Sequence, residues 1–499
     1  MPSIFIERSK SLFEFRKVTF LLLFLSLFLM LLLVPPMYVL IGIFGLTLGF
    51  LAFRYPNLVV YFLAVFIPLE EFIEKWLPTG LIYEGVRYSG EIFLLISIFS
   101  VLLSKLVLQK RWRSTPVDKP LVALLIAITI SATINNVPLK FTVLGIRPFL
   151  RYIPILLIIA QVGIKEDIAE RLIKWIYILG IIISSIAILQ SIIGLPATYF
   201  LMPKDVVVSG EVVREGLRQL VGVHTRVFST MGRYDTLGTY LCILILIGFG
   251  QYYYSSNPNK KILRIFIILA LPAIILSYSR QSWLALFIGV MVILFLSNRK
   301  KMAIGILLIA VIGLLFLTIV FPAAVQYSSN LPDVTFINRI LEPFSARYYE
   351  ISRYSSGRLF VITEVSSRIL TKAPIFGFGP ARFGSLTTRY LGFDFSSLID
   401  LNPESAFLVN DVNWVTLLGQ IGLIGITFFI FLLFSMGFYA YKQFNKNGSE
   451  FRKGLALGYI GAIAAFIILG FFGPNFEVRQ VSYFIWLFGG ILIGLPKIT

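Results

Sequence analysis

Long apolar runs recur along this chain from its beginning to its end, and they restrict it to folds that a lipid bilayer accepts. Residues 18–34, 303–321 and 455–472, for example, contain no charged side chain. A helix needs about 20 mostly apolar residues to cross the bilayer core, and its backbone groups must be hydrogen-bonded within the segment. A membrane β-barrel would instead alternate in polarity over segments of about ten residues. The pattern predicts an all-α, polytopic transmembrane helical bundle.

We predict 12–14 spans. Only 14% of the 499 residues are charged, whereas a soluble chain carries about 25%. The first run follows four basic residues and precedes no small-residue cleavage site, so we expect it to be a retained signal anchor. The predicted spans lie near 18–34, 37–53, 58–69, 92–108, 121–134, 152–162, 175–193, 237–253, 265–276, 282–297, 303–321, 415–436, 455–472 and 482–496.

The charges between these spans predict the orientation. With both termini in the cytoplasm, the inner segments hold 24 of the 44 Lys and Arg residues but only 7 of the 25 acidic ones. Nearly all of the net charge of +19 therefore lies on one side, as the positive-inside rule expects. This distribution disfavours a nucleic-acid surface and predicts a multi-pass protein of the inner (plasma) membrane.

The spans divide the chain into three predicted parts. These are an N-terminal bundle at 1–321 with an outer loop at 194–236, a large extracytoplasmic loop at 322–413, and C-terminal transmembrane helices at 414–499. The large loop is too long for a plain connection, so we expect it to be partly helical. It could form part of a site at the mouth of the bundle or only a stabilising cap. One helical face is predicted from Leu359, Ile362, Val365, Ile369 and Leu370.

Arginine dominates the two outer loops, where only Lys204 and Lys372 represent lysine. The guanidinium group presents a planar fork of donors that matches phosphate, which lysine cannot do. These arginines could bind an anion, or they could form ion pairs with acids of the same loops. The chain has one histidine and one cysteine, which exclude a histidine-rich or multi-cysteine metal site and an intrachain disulfide.

Polar residues gather where the outer ends of spans are predicted. They occur in His224-Thr-Arg226-Val-Phe-Ser-Thr, in Ser277-Tyr-Ser279-Arg280-Gln281, at Arg358, and in Asn410-Asp411-Val-Asn413 before Gln420-x-Gly422-Leu-Ile-Gly425. A charge at the edge of a membrane is costly and usually functional, although Ser279 and Arg280 could merely anchor an interface. Soluble-enzyme motifs such as a P-loop or H-E-x-x-H are absent from the sequence.

The order of these motifs resembles the O-antigen ligase and O-antigen polymerase family of bacterial envelope polysaccharide synthesis. The similar elements are Arg-x-x-Ser-Thr, Ser-x-Ser-Arg, Ser-Gly-Arg, Pro-x-x-Gly-x-Gly and Gln-x-Gly-Leu-Ile-Gly, which together cover roughly residues 220–425. The resemblance implies a membrane glycosyltransferase that takes a glycan from a polyprenyl diphosphate carrier. The implied partners are that lipid-linked donor, a glycan or lipid-core acceptor, and membrane lipid.

The resemblance also implies roles for single residues. Arg226 and Arg280 are the first candidates to hold the diphosphate, and Arg233, Arg358 and Arg382 are the second. Arginine can stabilise a diphosphate leaving group directly, so we expect no metal and no cofactor.

One position departs from the family pattern. Ligases of the family carry a histidine shortly before the Gly-Leu-Ile-Gly element, and this chain has Asp411 there. Asp411, His224 or Glu404 could act as the base for the acceptor hydroxyl, and Asp411 could instead cap the next helix.

The departure favours a polysaccharide polymerase over an O-antigen ligase. A lipid-linked glycan flippase is a second alternative, but it should show an internal repeat and short loops. A non-catalytic scaffold would not need arginines at the ends of spans.

Overall fold

The computed structural model describes residues 36–496, apart from 79, 108, 110, 209–210, 214–219, 222–223, 255–259, 321–339, 355–356, 403–405, 407 and 447. It is a polytopic all-α bundle, as predicted. Helices α1 to α7 are Pro36–Arg54, Pro56–Glu74, Leu81–Val107, Asp118–Ile134, Leu139–Leu150, Ile153–Val162 and Glu166–Ile193. Helices α8 to α12 are Leu195–Leu201, Tyr234–Tyr254, Lys260–Leu276, Arg280–Leu296 and Lys300–Val320.

The large loop contains short helices, and three long helices follow it. The loop helices α13 to α16 are Ala346–Tyr354, Arg358–Phe360, Ser366–Lys372 and Leu386–Tyr390, and a π-helical turn, Val361–Val365, joins α14 to α15. Helices α17 to α19 are Asn413–Asn445, Glu450–Leu469 and Arg479–Gly494. Two small antiparallel hairpins precede α9, formed by β1 (Val206–Val208) with β2 (Glu211–Val213) and by β3 (Leu220–Val221) with β4 (His224–Thr225). We call the end of the bundle where residues 340–412 lie the loop end.

Every predicted span from 37–53 onward coincides with a helix, whereas the first predicted span, 18–34, lies outside the described residues. Within the described part of the chain, seven helices are long and apolar enough to cross a membrane. The number becomes eight if α5 and α6, which meet at 66°, form one bent span. The predicted total of 12–14 crossings therefore depends on the shorter helices.

Helix α9 is the centre of the bundle because small residues let it approach α18 closely. A Cβ added at Gly250 would lie 2.3 Å from the backbone N of Gly458 and 2.5 Å from the carbonyl O of Gly454. Such small-residue contacts are the usual way in which membrane helices pack tightly. This contact lies near the end of α9 that is opposite the first polar cluster, and it fastens that end of α9 to α18.

Helix α17 is broken at Gly422, and a segment of the large loop bonds to the backbone groups that the break leaves unpaired. Gly422 has φ +65° and ψ −169°, which a residue with a side chain rarely adopts. The freed backbone groups bond to the segment 374–379: Leu423 N donates to Pro374 O at 2.9 Å, and Phe378 N donates to Gly419 O at 2.7 Å. The two glycine-rich motifs therefore form one interlock between the loop and a membrane helix.

Helix α4 is the third member of this interlock. The hydroxyl of Ser131 donates to Phe376 O at 2.6 Å, and the side-chain amide of Asn135 donates to Gly377 O at 3.1 Å. A buried backbone group needs such a partner, because leaving it unpaired costs about 1–3 kcal/mol. The loop is thus fastened to both the N-terminal and the C-terminal helices.

The loop has a small apolar core of its own. Val365 and Ile369 of the predicted helical face are fully buried against Phe383 and Val409, whereas Leu359 and Leu370 are partly exposed. This core also includes Val415 and Leu418 of α17 and so continues into the membrane bundle. Apolar burial of this kind holds the loop helices against the loop end of α17.

Candidate functional site

Two of the predicted polar clusters meet at the loop end. The backbone N of Val227 donates to Leu276 O at 3.4 Å, which brings the residue after Arg226 against the end of α10. A Cβ added at Gly238 would lie 2.6 Å from Ser282 Oγ, so the first turns of α9 and α11 touch. A Cβ added at Gly473 would lie 3.0 Å from Gln281 Oε1, so the segment 470–478 also meets the start of α11. We call the region where these residues meet the mouth.

Arg226 lies at the mouth against an aromatic ring. Its guanidinium carbon is 4.3 Å from the ring centroid of Tyr234, the first residue of α9. The chain turns back between them through a 3₁₀ turn, Ser229–Met231, and the buried Ser229 is held there by Gln190 Oε1, which accepts from its backbone N at 2.9 Å. Cation–π contacts stabilise a cation without neutralising it.

Arg280 begins α11 on the other side of the mouth. Its guanidinium carbon is 5.2 Å from the ring centroid of Tyr348, which belongs to the loop helix α13. The preceding turn is rigid because the hydroxyls of Ser279 and Ser282 are hydrogen-bonded at 2.7 Å in a buried site. The large loop therefore reaches over this turn and contacts the arginine.

The second-choice arginines have different surroundings. Arg233 forms an ion pair with Asp235 at 3.1 Å. Arg382 donates to the carbonyls of Asn135 at 2.8 Å and Asn136 at 3.2 Å, at the C-terminal end of α4. This leaves Arg382 part of the interlock rather than of the mouth. Arg358 starts α14, and its buried Nε has no hydrogen-bond partner among the residues that the structure describes.

Paired charges also occur in the loop. This agrees with the alternative that some loop arginines pair with acids of the same loop instead of binding an anion. Arg368 bonds to Glu364 at 2.8 Å, and Lys372 bonds to Asp400 at 2.5 Å. All four of these side chains are at least one-third exposed, so solvent screens both pairs and each contributes little to stability.

The structure describes the three proposed bases to different extents. Asp411 ends a 3₁₀ turn, Val409–Asp411, and is half-buried directly before α17. The N-cap position of α17 is Val412, whose side chain makes no cap hydrogen bond, so Asp411 does not occupy the N-cap position. His224 lies in β4 next to Arg226, and its side chain is outside the described part of the structure. Glu404 also lies outside the described residues.

Glu477 is an acid at the mouth that sequence reasoning missed. Its Oε1 accepts a hydrogen bond of 2.9 Å from the side-chain amide of Asn413, the first residue of α17. Burial raises the pKa of Glu477 to about 7, while Arg151 and the Asn413 bond act in the opposite direction. The only sequence signal was an isolated acid after Pro474 between two apolar runs.

A buried ionic network adjoins the mouth and was also missed. Arg479 pairs with Glu70 and lies 3.7 Å from Glu91, which accepts from Arg147 at 2.5 Å and lies 3.1 Å from Arg151. The network joins α2 and α3 to the bend between α5 and α6 and to the start of α19. Buried charges such as these need each other, because an ion without its partner is costly to bury.

An apolar groove of about 350 Å³ lies beside the mouth. The loop helices that follow Arg358 line one side of the groove, and α17 and the end of α18 line the other. Its lining is almost entirely apolar and includes Leu423 and Ile430, which are about half exposed on the outside of the bundle. The groove is therefore accessible from the surface that faces the bilayer. Other lining residues are Ile362, Ser366, Leu370, Trp414, Leu418 and Phe471.

Comparison with known proteins finds one similarity to a family. The family model described as O-antigen ligase matches residues 265–430, which contain the Arg280 turn, the large loop and the interlock with α17. No curated protein matches the chain. The match covers about one third of the chain and confirms, over that segment, the resemblance to the O-antigen ligase family inferred from the order of the motifs.

Proposed function

We propose that this protein is a metal-independent membrane glycosyltransferase of the polysaccharide-polymerase type. It takes a glycan from a polyprenyl diphosphate carrier at the outer face of the inner membrane and joins it to an acceptor glycan. The observation that carries the proposal is the meeting of the Arg226 and Arg280 segments at one mouth, through the contact of Val227 with Leu276. Two guanidinium groups at one mouth suit a diphosphate, which offers several anionic oxygens.

The reaction needs positive charge at this place. An oxygen of the acceptor hydroxyl attacks the anomeric carbon, the bond from that carbon to the diphosphate oxygen breaks, and the electron pair leaves with the diphosphate. Arg226 and Arg280 would stabilise the charge that accumulates on the leaving group. One preorganised donor of this kind contributes about 3–4 kcal/mol to lowering the barrier.

The acceptor hydroxyl must also lose its proton. We assign this role to Asp411, which is half-buried at the start of α17 and does not occupy the N-cap position of that helix. His224 and Glu404 stay alternatives. If Asp411 is the base, Asp411→Asn keeps binding of the donor but joins no glycan, whereas unchanged product formation would exclude it.

The apolar groove supports the lipid part of the proposal. Its lining begins at Ile362, four residues after Arg358, and is nearly free of polar atoms. A prenyl chain gains about 0.8 kcal/mol for each CH₂ group that it removes from water, so an apolar groove next to the arginines suits a diphosphate-linked prenyl chain.

Ligase activity is the second candidate, and the description of the matching family favours it. A purified reaction with a polyprenyl-diphosphate oligosaccharide, with and without a lipid-core acceptor, separates the two. A ladder of longer chains supports the polymerase, whereas a single glycan-to-core adduct supports the ligase. If the donor stays unchanged in both reactions, the glycosyltransferase proposal is wrong.

The orientation has its own test. Cys242, the only cysteine, is fully buried, so a cysteine introduced at Tyr390 of the large loop, which is 68% exposed, can be labelled selectively. We expect Tyr390→Cys to react with a membrane-impermeant maleimide from outside the inner membrane. A cysteine at Lys446, between α17 and α18, is the control and should react only after the membrane is opened. The reverse pattern would overturn the orientation.

A further inference from the structure

Each of the two first-choice arginines at the mouth lies over a tyrosine ring. Arg226 faces Tyr234 at 4.3 Å, and Arg280 faces Tyr348 at 5.2 Å. All four side chains are partly buried. Contacts between a guanidinium and a ring become stronger when water is partly removed.

Several other arginines at the loop end use their N–H groups to bond to oxygen atoms of the protein. Arg233 and Arg368 direct N–H groups to carboxylates, and Arg382 directs two to backbone carbonyls. These contacts use the edge of the guanidinium, which is the same edge that forms a bidentate bond with phosphate. A ring face instead contacts the flat side of the guanidinium, so this contact takes up none of its donors and adds no negative charge.

Each ring is held by backbone that is independent of its arginine. Tyr234 starts α9, whose following turn is almost wholly buried. Tyr348 is in the first turn of α13, where its backbone N donates to the hydroxyl of the buried Ser345 at 3.2 Å. A ring fixed in this way limits how the guanidinium plane can turn, and preorganisation of this kind reduces the entropy lost on binding.

We propose that Tyr234 and Tyr348 are positioning residues that hold the planes of Arg226 and Arg280 so that their donor edges point toward the diphosphate of the lipid donor. This inference rests on the proposed function and adds to it how the mouth recognises a diphosphate. It also makes α13, and hence the large loop, part of the arginine site.

The test replaces each ring in the full-length protein and measures kcat and KM for the lipid-linked donor. Tyr→Phe at either position keeps the ring face and should change kcat/KM by less than about two-fold. Tyr→Leu removes the face and should lower kcat/KM about 5- to 30-fold, which is the factor expected for a partly buried cation–π contact. Inhibition by farnesyl diphosphate should weaken in the Leu variants by a similar factor.

Tyr349→Leu is the matched control, because Tyr349 is the next residue of α13 and lies beneath Arg353 at 5.8 Å. It is 49% exposed, and its hydroxyl accepts a bond from Arg353 at 3.1 Å, so the substitution removes an equivalent pair away from the mouth. We expect its kinetics to equal those of the wild type. A loss as large as that of Tyr348→Leu would mean that any ring on α13 matters and would overturn the positioning role.

A double-mutant cycle shows whether each ring acts through its own arginine. In an Arg280→Ala background, Tyr348→Leu should change the residual turnover by less than about two-fold, whereas Tyr234→Leu should keep its full effect. An undiminished effect of Tyr348→Leu would contradict the proposal.

Fluorinated phenylalanines at position 348 cover the case in which the Leu variant does not fold. They keep the shape of the ring but weaken its negative face, so kcat/KM should fall with each added fluorine, and a flat series would overturn the role of the ring face. The outcomes separate the two proposals: a wild-type protein without turnover removes the proposed function, whereas an active wild type with active Leu variants removes only the inference about the tyrosines.

Discussion

The mouth and the buried network beside it both contain arginines, but the two regions use them differently. At the mouth, Arg226 and Arg280 lie against tyrosine rings. In the network, Arg479 and Arg151 lie among the carboxylates of Glu70 and Glu91, and Arg151 also lies over the ring of Tyr152. A ring contact by itself adds no negative charge, whereas buried carboxylates neutralise an arginine and hold helices together. We therefore expect substitutions in the network to affect folding and those at the mouth to affect turnover.

The largest effect is expected in the network, for Arg479→Met. This change leaves Glu70, which is almost completely buried, without its partner, and the loss of one member of a buried ion pair typically costs about 3–5 kcal/mol. The folded yield and the thermal unfolding midpoint of the purified protein should fall. Arg171→Met is the control, because Arg171 pairs with Asp167 in an exposed position and should matter little. Equal stability of the two variants would contradict the distinction between the regions.

At the mouth, Arg280→Lys should lower turnover about 100- to 1,000-fold while the folded yield stays normal, because charge is kept but the planar fork is lost. Arg353→Lys, on the exposed side of α13, is the matched control and should keep full activity. Wild-type turnover of Arg280→Lys would remove this residue from the site, and loss of the folded protein would assign it to the scaffold instead.

Gly422→Ala tests the interlock between the large loop and α17. A Cβ at this position would lie 2.2 Å from Ile375 O, and the positive φ disfavours any side chain. We expect a loss of stability of about 1–3 kcal/mol, measured as a lower unfolding midpoint. Gly437→Ala is the control in the same helix, because a Cβ there has ordinary contacts only, 3.8 Å from Ile463. A stable Gly422→Ala protein would show that the break in α17 is not required.

The smallest effect is expected from pH, through Glu477. The carboxyl has a pKa of about 7 in the folded protein and an ordinary value near 4.5 when unfolded, so the folded state binds the proton more tightly. This contribution to stability is complete below about pH 4.5 and is lost as the pH rises through 7. Glu477→Gln should flatten the dependence of the unfolding midpoint between pH 5 and 8 by a few degrees. Glu364→Gln, at an exposed position, should not, and equal slopes in Glu477→Gln and wild type would contradict the assignment.

The sequence predicted most of the fold, because long apolar runs and local periodicity are sufficient to identify membrane helices. It also predicted the helical face on which Val365 and Ile369 are buried, because that face depends only on helical spacing. It did not predict that residues 374–379 form hydrogen bonds with the backbone of α17 at the break at Gly422. That arrangement pairs backbone groups of segments far apart in the chain, and no pattern of side chains predicts it.

The candidate site was less predictable than the fold. The order of the motifs ranked Arg226 and Arg280 above Arg382, but the contacts of Arg382 with Asn135 and Asn136 appear only in three dimensions. The network around Glu70 was missed because its members come from four separate parts of the chain and look like ordinary charges at the ends of spans. Glu477 was missed because a single acid carries no spacing pattern.

The most direct test of the mouth is a structure of the protein in a lipid nanodisc with a non-reactive polyprenyl diphosphate analogue. The account predicts diphosphate oxygens within about 2.7–2.9 Å of the guanidinium nitrogens of both Arg226 and Arg280, and the prenyl chain in the groove beneath the loop helices. A diphosphate bound elsewhere on the protein, or both arginines turned toward protein carboxylates with the lipid present, would contradict it.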